Sequence, residues 1–214
     1  MENIQIFVEG IADQKFLQDI IRAWYDVKLS LGNYQKDKTT LGQIFSVGGK
    51  GVFKNEDKMK VLDTIFKTNR INGVRNIFIF DADIFENETE NFIEYSKIHP
   101  IEYFLLPDNQ SDGDLETLLV QIINQENKVI FECWEGYENC LKTSPRKEGI
   151  FTTPASKTKI YAYLEALLGE SDSQKKKIKE AERNYQDPNH WNLDSPALQN
   201  LKQFLDTYFL NNND

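Results

Sequence analysis

At 214 residues and 40% hydrophobic, the chain can bury one good core and a small extension but is short for two full domains. Its 28% charged and 12% aromatic residues exclude general disorder, because disordered chains lack the aromatic and branched residues that offset chain entropy. With 25 basic against 34 acidic residues, the net charge of -9 argues against a broad surface that gathers phosphates by lysine and arginine alone.

Ile4 to Val8 is a short apolar run ending in Glu9-Gly10, and Phe16, Leu17, Ile20, Ile21 and Trp24 then recur at helical spacing, predicting strand, turn and helix. A second unit follows: Ile44 to Val47, the Gly48-Gly49-Lys50-Gly51 loop, and a helix carrying Val61, Leu62, Ile65 and Phe66 on one face. Ile77 to Phe80 is apolar at every position, as expected of a parallel strand covered on both faces, and runs into Asp81. Tyr103 to Leu106 is a fourth strand, stopped by Pro107, and Asp114 to Ile123 reads as a helix.

Beyond about residue 125 strand signals fade, and helices are predicted over Val129 to Leu141, Lys157 to Leu168 and Ser173 to Tyr185. A last helix has Ser195 to cap it, Pro196 in its first turn and Leu198, Leu201, Leu205 and Tyr208 on one stripe. Phe131, Trp134, Trp191 and Phe209 require burial, whereas Asn211 to Asn213 is expected to fray.

The expected fold is α/β: a mainly parallel, Rossmann-like sheet of at least four strands with helices on both faces in residues 1–125, and a helical extension over 126–214 packed on it. No apolar run approaches the roughly 18 residues of a membrane span, and no leader pattern opens the sequence. Cys133 and Cys140, seven apart on one helical face, form no disulfide framework. A soluble cytoplasmic protein without a membrane partner is the expectation.

In an open parallel sheet the functional edge lies past the carboxyl ends of the strands, where Glu9, Gly48 to Gly51, Asp81, Asp83 and Pro107 to Glu116 all fall. Like charges gathered at one edge repel, so a fold tends to keep them when a cation neutralises them. Carboxylate oxygens suit Mg²⁺ or Mn²⁺; two cysteines and two histidines this far apart do not make a zinc site.

The ordered motifs Glu9 to Asp13 (Glu-Gly-x-x-Asp), Phe80 to Asp83 (Phe-Asp-x-Asp) and Leu106 to Glu116 (Leu-Pro, spacer, Gly-x-Leu-Glu) resemble small standalone Toprim-like proteins, mostly prokaryotic. These are related to the Toprim domains of topoisomerases, primases and the overcoming-lysogenization-defect nucleases. Each motif alone is weak; the specificity comes from three in order at three strand ends, and the likeness covers residues 1–125. It implies metal binding by Glu9, Asp81 and Asp83, with Asp13 and Glu116 as partners in the nuclease subgroup. It further implies a functional lysine after the acidic motifs, for which Lys157 and Lys159 compete, with Lys159 carried as the candidate. A separate ATPase of the ABC class is the partner it implies.

Simpler readings stand beside these. Asp13 can favour the positive end of the first helix without any ligand role, and Asp114 can act as a first-turn acid. Gly48 to Gly51 lacks full Walker spacing, so a tight turn is its expected use, although Lys50 stands on the acidic edge and can meet a substrate phosphate. Lys175 to Lys177 reads as a solvated face beside Glu180 and Glu182, and neither His99 nor His190 is a candidate base.

The resulting expectation is a Mg²⁺- or Mn²⁺-dependent phosphoryl-transfer enzyme, a nuclease on nucleic acid, with Glu9, Asp81 and Asp83 catalytic and Glu116 completing the metal ligands. Its rival is a non-catalytic module that keeps the scaffold and contacts a protein or nucleotide, a reading the net charge of -9 favours.

Overall fold

The computed structural model describes residues 3–34, 41–99 and 101–210, so the expected fraying of Asn211 to Asn213 lies outside the described residues. Five strands, β1 (Ile4–Val8), β2 (Leu31–Asn33), β3 (Ile44–Ser46), β4 (Arg75–Asp81) and β5 (Ile101–Leu106), form one sheet. Its order is β2-β3-β1-β4-β5 and every pairing is parallel. Parallel neighbours need crossovers. These run through α1 (Ile11–Tyr25) after β1, α2 (Glu56–Ile71) after β3 and α3 (Phe85–Ile98) after β4.

Strand alternation sorts the core into two apolar layers. Ile4, Ile6, Val8, Ile77, Ile79 and Phe104 face α1, whose Phe16, Leu17, Ile20 and Ile21 are fully buried, and the helices of the tail. Phe7, Phe45, Phe78, Phe80 and Leu105 face α2 and α3, where Leu62, Ile65, Phe66 and Phe92 complete an aromatic-rich layer. Phe7 stacks on Phe78 with ring centroids 4.8 Å apart. Helices therefore cover both faces, as β4's unbroken apolar run requires.

Further along the chain come α4 (Leu115–Gln121), α5 (Lys128–Thr143), α6 (Ser156–Leu168), α7 (Asp172–Lys176) and α8 (Gln199–Phe209). Ile160, Tyr163, Leu164, Tyr185, Trp191, Leu198, Leu201, Leu205 and Tyr208 share one apolar cluster with β1, β4 and α1. Tyr25 stacks on Phe209 at 4.6 Å and donates its hydroxyl to Asp206 at 2.7 Å, tying α1 to α8. Ser195 accepts from the Ala197 amide, and Pro196 opens the 3-10 turn that leads into α8.

Several local expectations need correction. Ser173 to Tyr185 is not one helix: α7 stops at Lys176, a 3-10 turn follows at Glu180–Glu182, and Tyr185 is irregular. Between residues 173 and 182 only Ile178 is buried, so no apolar stripe holds a helix. Tertiary bonds take over instead, with Arg183 Nε donating to the Ile178 carbonyl at 3.0 Å and the Tyr185 amide to Asp19 at 2.9 Å. Trp134 is only half-buried, its indole donating to Glu138 at 2.7 Å, because α5 buries Phe131 alone. Among the described residues no helix is long and apolar enough to cross a membrane.

Candidate functional site

The centre of the sheet sets the site. Chain direction reverses at β1: α1 leads toward β2 and β3, while α2 carries the chain back across β1 to β4. A crevice opens at such a reversal, past the carboxyl ends of the two strands. The register pairs Val8 with Ile79, so Glu9 leaves β1 close to where β4 ends in Asp81. The Asp81 amide donates to Glu9 Oε1 at 3.1 Å. Asp81 Oδ1 in turn accepts the Leu115 amide at 2.8 Å, which fixes Asp81 against the first turn of α4.

Glu9, Asp13, Asp81, Asp114 and Glu116 line one cavity of about 820 Å³. Its walls are Asn33, Tyr34, Ser46, Gly48 and Gly49 on the β2–β3 side and Ala155, Ser156, Lys157 and Glu180 on the tail side. The acids do not neutralise one another. Burial and then the charge of Asp81 push Glu9 up to about 7, against the attraction of Lys50 and the Asp81 amide. Asp13 and Asp81 are raised into the neutral range as well. Burial is the main cause for both; Asp13 also feels Glu9 and Glu116, and Asp81 feels Asp13, Asp114 and Glu116. Glu116 is raised by burial and by Asp114, with Lys157 and Arg183 pulling the other way. Glu9, Asp13 and Asp81 feel one another's charge closely enough that their protons belong to the group rather than to any one of them.

The remaining candidates divide. Asp13 accepts the Gly10 amide at 2.8 Å, so it satisfies a free amide at the α1 entry and also faces the cavity. Asp114 caps α4, accepting the Thr117 amide at 2.7 Å and the Thr117 hydroxyl at 2.6 Å. Asp83 turns outward: its φ of 49° is left-handed, its backbone exchanges hydrogen bonds with Gly113, and its side chain is 67% exposed. It does not line the cavity but grips Lys50 at 2.6 Å. Burial works to lower Lys50, yet the hydrogen bond to Asp83 and the charges of Glu9 and Glu88 outweigh it and raise the ammonium.

Gly48 and Gly49 adopt φ of 78° and 91°, and both amides donate to the Glu9 carbonyl, at 3.0 and 2.9 Å. The glycine loop is thus a tight turn that supports Glu9, with those amides already used. Gly113 has a φ of 140°, and a Cβ there would stand 2.9 Å from Thr117 Oγ1, so the α4 entry needs glycine.

Lys159 is not brought to the site; it lies 5.0 Å from the Phe131 ring centroid and 3.8 Å from Glu135. Lys157 reaches the cavity instead, paired with Glu180. Sequence reading also missed Arg183, which is 1% exposed, sits 4.7 Å from the Tyr161 ring centroid, and supplies positive charge to Glu116. Neither histidine lines the cavity. Cys133 and Cys140 are exposed free thiols. Among the described residues no three aspartate, glutamate, histidine or cysteine side chains stand where they could hold a metal ion together as they are placed.

No curated protein and no solved structure matches the chain. A family model does match, over residues 3–210, nearly the whole of it. The chain belongs to the family described as protein of unknown function (DUF3226).

Proposed function

We propose that the chain is a Toprim-like, metal-dependent phosphoryl-transfer enzyme, a nuclease that holds Mg²⁺ or Mn²⁺ on Glu9, Asp81 and Glu116. The observation that carries this reading is the shared cavity floor, where burial and mutual repulsion raise several carboxyls together. Such crowding costs stability unless protons or cations relieve it. The donor chemistry fits a hard cation, and Asp81 Oδ2 takes no hydrogen bond among the described residues, leaving a ligand oxygen available. The carboxylates would close on the ion by side-chain rotation, with water in the remaining positions. The bound metal would supply an activated water and charge stabilisation for the leaving oxygen.

The protein's own groups have distinct work in this reading. Asp81 is oriented by the Leu115 amide, and Glu9 by the Asp81 amide. Glu9, pushed up to about 7 without metal, holds a proton near neutral pH that the cation would displace. Lys50 keeps Asp83 beside the cavity, so Asp83 acts from its edge or swings in when Lys50 is drawn to a phosphate. An ATPase of the ABC class remains the partner suggested by the Toprim resemblance.

A plasmid-nicking assay in Mg²⁺ or Mn²⁺ tests the proposal, with Asp81→Ala purified in parallel. Metal-dependent nicking that disappears in Asp81→Ala supports it. Metal-dependent stabilisation without nicking would instead favour the non-catalytic scaffold, the reading consistent with a net charge of -9.

A further inference from the structure

The cations around the cavity differ in what already holds them. Lys50 is engaged by Asp83, Glu9 and Glu88. Lys157, on the tail wall, is paired with Glu180, which lines the same wall. Lys58, from the first turns of α2, is half-buried behind two of the residues that line the cavity. Its ammonium lies 5.2 Å from the Tyr34 ring centroid and 3.3 Å from where a Gly48 Cβ would be, and Tyr34 and Gly48 both line the cavity. Among the described residues no carboxylate pairs with Lys58. The carboxylate floor therefore has Lys157 on its tail wall and Lys58 behind the wall formed by Tyr34 and Gly48.

We propose that this arrangement is a track for a single-stranded nucleic-acid backbone, entering over Lys58 and leaving past Lys157, with the phosphate between them lowered onto the carboxylate floor. The inference rests on the metal-dependent reading above and adds the strandedness and course of the substrate. Successive phosphates alternate between lysine, metal-bearing floor and lysine, so an acidic protein gathers a polyanion at two points rather than over a broad basic surface. A flexible strand can lower one phosphate between the walls to Glu9, Asp81 and Glu116, which are half-buried in the cavity lining. A base-paired duplex holds its phosphates on a stiff outer surface and cannot. Glu180 competes with the strand for Lys157 and restrains binding until a phosphate replaces it.

The test is fluorescence anisotropy of a short fluorescein-labelled oligothymidylate, with Ca²⁺ in place of Mg²⁺ to slow cleavage, titrated with salt. Lys58→Met and Lys157→Met should each reduce the salt slope of log affinity by about 0.7, so that each loses roughly threefold less affinity between about 50 and 200 mM salt. Glu180→Gln should tighten binding, and Lys176→Met, on the exposed run outside the cavity, should change nothing. A duplex of the same length should bind more weakly. The track is overturned if Lys176→Met weakens binding as much as Lys58→Met, if duplex and single strand bind alike, or if Lys58→Met keeps the wild-type slope. Melting curves with and without Mg²⁺ separate the two readings. A metal-dependent rise without oligonucleotide binding removes the track alone, and absence of the rise removes the metal site beneath it.

Discussion

The two ends of the same sheet handle buried polarity in opposite ways. At the amino end, Asn69 donates at 2.6 Å to both Gln5 Oε1 and Asn76 Oδ1, and Gln5 donates to the Gly42 carbonyl at 2.7 Å. Arg75 there meets Glu102 at 2.8 Å, and Tyr208 donates to the other Glu102 oxygen at 2.8 Å. Neutral amides and a matched ion pair leave little unbalanced charge. At the carboxyl end, Glu9, Asp13, Asp81 and Glu116 crowd together and each is raised by burial and a like charge. One end is settled for stability, and the other keeps an electrostatic cost that a ligand can relieve.

The largest effect should come from breaking the settled end. Asn69→Ala strands two buried acceptors, on Gln5 (8% exposed) and Asn76 (3% exposed). At about 1–3 kcal/mol for each unsatisfied group, the loss should be about 2–6 kcal/mol by denaturant titration, with or without Mg²⁺. A loss that Mg²⁺ reversed would mean that the two ends are not independent.

The unsettled end should respond to metal. At a hundred times the dissociation constant, Mg²⁺ or Mn²⁺ should stabilise the fold by about 2.7 kcal/mol, a melting rise of roughly 5–10 °C for a chain of this size. Asp81→Asn should lose most of that rise while melting higher than wild type when no metal is present, because it removes one repelling charge and retains an acceptor for the Leu115 amide. Calorimetry across a metal titration checks both signs. Equal shifts in the two proteins would remove the metal reading.

Proton linkage gives a smaller, graded effect. Glu9, Asp13 and Asp81 titrate higher in the fold than in the unfolded chain, so between about pH 4 and 8 the folded state binds more protons. Stability then falls as pH rises through that window and is greatest on its acid side. The metal-free melting temperature should decline from pH 5 to pH 8, less steeply in Asp81→Asn, and Mg²⁺ should flatten it. Asn69→Ala should keep the wild-type slope, since the amide network does not titrate. A metal-free melting temperature that rose over this range would contradict the raised carboxyls.

Much of this contrast was legible in local sequence. Ile77 to Phe80 announced a strand covered on both faces, and Glu9 and Asp81 followed apolar runs closely enough to be placed on one sheet edge. The edge strand Leu31–Asn33 was not legible, being three residues with a central glycine, nor was Phe85–Ile98, a helix that buries only Phe92. The outward turn of Asp83 is set by backbone pairing with Gly113, thirty residues away, which no local pattern encodes. Lys157, Glu180 and Arg183 reach the acids only because α6 and the following turn pack across α4 and α1. Local spacing could not choose between Lys157 and Lys159 for that reason.

That choice supplies the smallest predicted effect. The Lys159 ammonium lies 5.0 Å from the Phe131 ring centroid and 3.8 Å from Glu135, whose side chain is 69% exposed. Methionine keeps most of the aliphatic stem that packs there and removes the charge. The lost cation–π contact and ion pair together are worth about 0.5–2 kcal/mol. Lys159→Met should therefore melt within several degrees of wild type, with an unchanged Mg²⁺-dependent shift and an unchanged oligonucleotide salt slope. Lys157→Met should alter that slope at comparable stability, because its ammonium lines the cavity and feels Glu116 as well as Glu180. If nicking were lost in Lys159→Met and retained in Lys157→Met, the reacting phosphate would have to lie on the α5–α6 side of the molecule, and the unsettled sheet edge would lose its claim to be the site.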